Sequence, residues 1–110
     1  EDFVLEIANT PATREQGLSD RTELLPHRGM LFVFEEPVQN AFWMPRMHFP
    51  LDILFIRDNI VVDLVKNLPY PTAGETPALY APKAFYTHVI EVPVGTIDRD
   101  GLSIGDRIPL

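Results

Sequence analysis

Two branched apolar runs, Leu51 to Ile56 and Ile60 to Lys66, flank the polar break Arg57-Asp58-Asn59. Runs of this length rich in Ile, Val and Phe favour the pleated, half-buried surface of a sheet. A polar break of two or three residues is what a tight hairpin turn requires. The spacing therefore predicts an antiparallel hairpin over residues 51–66 at the centre of a sheet. Its ladder should join Ile53–Ile56 to Ile60–Asp63. Asp52 and Asp63 interrupt otherwise apolar strands, and a carboxylate in such surroundings must be paired, hydrogen-bonded or raised in pKa.

The remaining segments are short and sharply punctuated. Phe3 to Ala8 reads as a first strand. Thr10 stands at an N-cap position with Pro11 behind it, where a missing N–H costs nothing, and the helix should run through Arg14-Glu15-Gln16 to Gly17. Pro26-His27-Arg28-Gly29 is a turn. Met30 to Phe34 is apolar at every position and reads as a strand buried on both faces, ended by Glu35-Glu36-Pro37. Ala41 to Met44 is a strand stopped by Pro45. Residues 67–84 hold Pro69, Pro71, Pro77 and Pro82, and such a segment is expected to be an irregular loop, the least ordered of the interior. Along Tyr86 to Val92, strict alternation would put Tyr86, His88, Ile90 and Val92 on one face and Thr87, Val89 and Glu91 on the other. One or two helical turns follow over Val94 to Asp100, ended by Gly101, and Gly105-Asp106 leads into a last strand, Arg107 to Leu110. Many short strands with two short helices imply an α+β domain. It would be built on a curved, mostly antiparallel sheet, with a partly closed barrel as one form of it.

A single domain over residues 1–110 fits this length. The 45% apolar content supplies a core. Nine Lys and Arg stand scattered against 16 Asp and Glu, a formal charge of −7. Phosphate-backbone binding needs clustered cations, so nucleic acid is not an expected partner. No apolar run approaches the roughly 20 residues of a spanning helix. Cysteine is absent, which removes disulfides, thiolate nucleophiles and Cys-based zinc sites. That is compatible with the periplasm, the extracellular space or the cytoplasm. The chain begins at Glu1, as a cleaved export signal or a trimmed sequence would leave it.

The stretch Phe42 to Asp52 concentrates the chemistry. It holds the one Trp, two of the three Met, His48, Arg46 and Asp52. Trp43 serves either as a core indole or as a stacking wall for a flat ligand; burial is the commoner use of a large aromatic. Met30 and Met44 read as core filler. Asp52 is the main candidate for a site carboxylate. Its structural alternative is an ion pair with Arg21 or Arg46, and Arg21 is the expected partner, through two parallel N–H bonds. His27, His48 and His88 show no metal-binding spacing. Ser19 and Ser103 sit in no nucleophile elbow, and the glycines form no phosphate loop. No cofactor is implied.

Several short motifs stand in a specific order: Glu6-x-Ala8, Gly17-Leu18-x-x-Arg21, Gly29-Met30-Leu31-Phe32-x-Phe34, Phe42-Trp43-Met44 and Pro50-Leu51-Asp52. Tyr86, Glu91, Gly95 and Gly105-Asp106 follow. In this order and spacing the chain resembles the bacterial and archaeal family called domain of unknown function 192, across nearly its whole length. The resemblance implies one small domain, often made with an export signal, with no activity to carry over. It also exposes departures. The family pattern Trp-Met-Lys-Asn-Thr is Trp43-Met44-Pro45-Arg46-Met47 here; if Lys-Asn-Thr carries the family's function, this chain has either changed it or moved the cation one place, to Arg46. Ser19 stands where Met is common.

These readings lead to a binding or accessory domain outside the cytoplasm. It would offer an aromatic and cationic patch of Trp43, Arg46 and Arg21, bordered by Tyr70 and Tyr80 of the 67–84 loop. The ligand would be a small polar molecule, a saccharide or a partner protein. The alternative is a small hydrolase or lyase using Asp52 with His48 or Asp63.

Overall fold

A computed structural model describes residues 3–43, 46–72 and 74–110, with the Trp43 side chain also left out. The elements in chain order are β1 (Val4–Ala8), α1 (Pro11–Gln16), β2 (Arg28–Val38), β3 (Phe42–Trp43), β4 (Leu51–Arg57), β5 (Ile60–Leu68), β6 (Leu79–Tyr80), β7 (Tyr86–Pro93) and α2 (Thr96–Asp100). Five strands form one sheet in the order β1-β2-β7-β4-β5, and β3 pairs with β6 in a separate two-stranded ribbon. Among the described strands, only the β1–β2 pairing is parallel. The fold is therefore α+β and mostly antiparallel. The main sheet is open, with β1 and β5 as its edges, so it does not close into the barrel raised as one form of the fold.

The hairpin is present. Ile53 pairs with Val65, Leu54 with Leu64 and Phe55 with Asp63. Asp58 and Asn59 both have positive φ, at 53° and 64°, which is how a two-residue turn matches the twist of its strands. Its place differs from expectation. The central strand is β7, flanked by β2 and β4, and β5 lies at an edge. Local pattern identifies a hairpin, but the strand that covers its other side comes from the end of the chain.

At Thr10 the cap forms as the sequence predicts. The Thr13 N–H donates to the Thr10 hydroxyl, and the Thr10 N–H donates back to the Thr13 hydroxyl, at 3.1 and 3.0 Å. This is a capping box closed by a threonine rather than Glu or Gln. No residue of α1 is buried, so the helix is held by what surrounds it. Leu18 enters the core just beyond it. The Arg14 guanidinium donates to the Val33 carbonyl at 2.9 Å and lies 5.1 Å from the Phe34 ring centre.

Three other expectations change. β2 runs on through Glu35-Glu36-Pro37 to Val38, because a register shift between Val33 and Val38 against β7 absorbs the proline as an irregularity. Residues 67–84 are not wholly irregular. β5 extends to Leu68, and Leu79-Tyr80 pairs with Phe42-Trp43. The C-terminal segment makes one bridge, Ile60 to Arg107, and no strand.

Each face of the sheet carries its own apolar cluster. Face one gathers Met30, Phe32, Ile53, Phe55, Tyr86 and Val89 and is covered by Leu18, Met47 and the β3–β6 ribbon. Face two gathers Leu54, Ile56, Val61, Ile90, Val92 and Ile97 of α2. Tyr86 packs with Val89, not with Ile90 and Val92, so the alternation of β7 breaks at its first residue, where the β2 register shifts. Gly29 permits the tight join between β2 and β7. A Cβ there would stand 2.3 Å from the Glu91 carbonyl oxygen.

Candidate functional site

Asp52 is buried, 1% exposed, but its partners are not arginines. Backbone N–H groups of Asn67, Gly95 and Ile97 donate to its carboxylate at 2.8, 3.1 and 2.9 Å. Gly95 is the N-cap of α2 and has no side chain with which to cap it. Asp52 does so from β4, accepting from the second helical residue, as an N-cap side chain does. The expected Arg21–Asp52 pair is thus corrected. Arg21 lies at the surface and grips Glu6 through both terminal nitrogens, with Nη2 to Oε1 at 2.9 Å. That contact holds the Glu6 carboxyl below its usual range, through hydrogen bonding first and opposite charge second.

Asp63 is structural in the same sense. It accepts from the Leu64 and Lys83 N–H groups, both at 2.9 Å, and from the Tyr80 hydroxyl at 2.8 Å. Tyr80 also stacks on Phe55 at 5.7 Å, and burial with the Asp63 carboxylate beside it pushes the phenol up to about 12. Tyr80 is therefore a strap between the loop and β5, while Tyr70 is exposed. The register puts Asp63 opposite Phe55 on face one, whereas Asp52 shares face two with Leu54 and Ile56. His48 lies on an exposed bend. The structure does not bring Asp52, Asp63 and His48 to one place. Among the described residues, no three His, Asp or Glu side chains gather to hold a metal ion.

Arg46 remains beside α1. Its Nε reaches Asp20 and its Nη2 reaches Gln16 Oε1, both at 3.3 Å, and the Asp20 N–H donates to its carbonyl at 2.9 Å. The indole of Trp43, together with Met44 and Pro45, lies outside the described residues.

Glu91 is the residue that sequence reasoning passed over. It is 6% exposed, in the middle of β7, between Met30 on β2 and Ile53 on β4. Burial alone raises its carboxyl to about 8. No hydrogen bond or ion pair reaches that carboxyl from the described residues. Glu91 lines a pocket of about 80 Å³ beneath the turn Gly17-Leu18-Ser19, walled by Phe32, Phe42 and Met47. Gly17 has φ +49°, and a Cβ there would stand 3.2 Å from the Phe32 ring. The pocket shares Arg14, Glu15, Phe32 and Phe42 with an open groove of about 310 Å³ that runs to Phe34 and Tyr86. The signal available in the sequence was a lone carboxylate between Ile90 and Val92.

A larger concavity of about 730 Å³ lies on face two, between Phe3 and Leu5 of one edge and Leu102 and Ile108 of the C-terminal segment. Asp100 is the titratable side chain in its lining, and Arg99 holds it at 3.1 Å. The face-one cleft combines aromatic walls, the Arg14 cation at its rim and, at its floor, an acid with no partner among the described residues. It is the better candidate site on the chemistry of its groups.

Comparison with known proteins agrees with the fold and is silent on activity. The model of the domain of unknown function 192 family, described as an uncharacterized ACR, matches residues 1–110. No curated protein matches the chain. A crystal structure from Sinorhizobium meliloti 1021, provisionally named a transcription regulator, is 36% identical with a TM-score of 0.86. The match covers 97% of this chain and 81% of that one. A protein of unknown function from Novosphingobium aromaticivorans DSM 12444 is 34% identical, with a TM-score of 0.84, over 98% of this chain and 75% of its own.

Proposed function

Because the chain belongs to the domain of unknown function 192 family, a membership that carries a fold and no reaction, we propose its function from the cleft itself. The protein is a binding domain without a catalytic cycle. It takes a small polar ligand in the face-one cleft beside α1. One observation carries this reading: the groove and the pocket share Arg14, Glu15, Phe32 and Phe42, are aromatic along their walls, and are bordered by Arg14, which is fixed by the Val33 carbonyl and the Phe34 ring. Side chains already held in place lose little further freedom when a ligand arrives.

The hydrolase alternative is the weaker one. Asp52 and Asp63 are each saturated by three donors and face opposite sides of the sheet, whereas an acid–base pair must converge on one reacting group. A transcription-regulator role, suggested by the name of the Sinorhizobium protein, is disfavoured by the net charge of −7 and by the engagement of five of the nine Lys and Arg within the fold. Arg14, Arg21, Arg46, Lys66 and Arg99 are engaged by Val33, Glu6, Asp20, Asp98 and Asp100. The reading carries with it a location outside the cytoplasm, in keeping with a family whose members are often made with an export signal. Fractionation of cells making the full-length protein tests that part.

A thermal-shift screen of small polar molecules, saccharides included, tests the binding reading, because a ligand that favours the native state raises its melting temperature. The expected result is a hit whose shift is reduced by Phe42→Ala. Hits unaffected by that substitution, or none at all, would overturn it.

A further inference from the structure

We infer that the pocket beneath the Gly17–Ser19 turn receives a primary ammonium group, with the Glu91 carboxylate as its counter-ion. This rests on the reading of the face-one cleft as a binding site and names the chemical class that the inner end of the cleft selects.

Size limits what the pocket can hold. A pocket of about 80 Å³ has room for two or three waters at roughly 30 Å³ each, which suits an ammonium group and its first carbon but not a sugar ring. Its walls come next. Phe32, Phe42 and Met47 offer no hydrogen-bond acceptor strong enough to compete for an N–H group, while aromatic rings and thioether sulfur are polarizable neighbours for a cation; Gln16 and Ser19 line the turn side, with the Gln16 amide already engaged by Arg46 and the Ser19 carbonyl. At the floor, Glu91 is a buried acid without a partner among the described residues. Of the ligand heads that fit, an ammonium is the one that turns this acid from a cost into an attraction. A carboxylate or phosphate head would meet Glu91 at the floor and Glu15 at the rim.

The charged groups facing the site from the surrounding elements are few. From α1 come Glu15, which is exposed, and Arg14, which is committed to the Val33 carbonyl and the Phe34 ring. Arg46 stands behind Gln16, held by Asp20. β2, β3 and β4 contribute Met30, Phe32, Phe42 and Ile53, none of which titrates. The net charge of −7 favours approach of a cation over an anion. The proton balance follows from the state of Glu91. Near neutral pH it holds its proton; an incoming ammonium converts it to carboxylate, and that one proton leaves to solvent. The groove beyond, reaching Phe34 and Tyr86, would carry the rest of an aliphatic amine.

The test is an NMR titration of the whole protein with butylammonium at pH 6.5, following the backbone amides and the Glu91 side-chain carboxyl carbon. Butyramide and butyrate serve as neutral and anionic counterparts. The expected result is that butylammonium shifts the Gly17, Leu18 and Phe42 amides and moves the Glu91 carboxyl carbon to its ionised position. Glu91→Gln, which keeps the shape of the protonated acid, should weaken that binding by about tenfold or more while the spectrum stays folded. Butylammonium binding equally well to Glu91→Gln, or leaving Glu91 protonated, overturns the inference. If butyramide, or a hit from the screen, binds in the cleft and butylammonium does not, the ammonium assignment fails and the binding reading stands. If no probe of any class binds there, both fail.

Discussion

Asp52 and Glu91 are near neighbours on adjacent strands: Asp52 pairs with Val92, and Ile53 pairs with Glu91. Both are buried to a similar degree, at 1% and 6% exposure. Because adjacent side chains on a strand point to opposite faces, one carboxyl enters face two and the other face one, and there their circumstances part. Asp52 meets three backbone N–H groups at the start of α2 and at the end of β5. Glu91 meets Met30, Ile53 and a small pocket walled by Phe32, Phe42 and Met47. Burial is common to the two; the supply of donors is not. A buried carboxylate surrounded by N–H groups is a structural joint. A buried carboxyl without them keeps its proton and remains available to a ligand.

Asp52→Asn should show the largest effect. The amide nearly keeps the shape but loses the charge, and one of its ends presents donors to donors. Urea denaturation should report a loss of about 4 kcal/mol. A loss under about 1 kcal/mol would mean that the three N–H groups find other acceptors, and the comparison would lose one side.

Glu91 should give the next effect, and it is one of pH. Its folded carboxyl titrates near 8, above the ordinary 4.5, so the folded state holds a proton that the unfolded chain has released. Its contribution is fully present below the ordinary carboxylate range, falls as pH rises through the interval and is lost once pH passes about 8. The slope is at most about 1.4 kcal/mol per pH unit. Melting temperature measured from pH 5 to pH 8 should therefore decline, and Glu91→Gln should flatten that part of the decline. An unchanged slope in the variant would show Glu91 to be ionised or solvated in the folded state.

Asp63 extends the comparison to a third carboxylate, of the Asp52 kind. Tyr80→Phe removes one of its three donors and should cost about 1.5 kcal/mol in the same denaturation assay. No measurable cost would show that the loop is fastened by Phe55–Tyr80 stacking alone. The smallest effect belongs to Arg21→Ala. Its pair with Glu6 is half exposed, with side chains 39% and 55% accessible, so the loss should be about 0.5 kcal/mol and should shrink in added salt. A loss of several kcal/mol would restore a buried role for Arg21.

Features that depend on a few adjacent residues were legible in the sequence. Asp58-Asn59 between branched runs gives the hairpin, because the turn that suits strand twist needs two residues that tolerate positive φ. Thr10-Pro11 gives the helix start, because its orphan N–H groups are satisfied from within the same turn. The order of the short motifs gave the family, which the whole-chain match shows. Tertiary structure decided the rest. That β7 lies between β2 and β4 is a choice among distant strands, and it alone buries Glu91. The partners of Asp52 are backbone N–H groups of Asn67, Gly95 and Ile97. Every residue except proline carries such a group, so nothing in the side-chain sequence marks these three. Composition required that a carboxylate beside Ile53-Leu54-Phe55-Ile56 be compensated. Only the fold determined that backbone dipoles would do so for Asp52, and that nothing in the described chain would do so for Glu91.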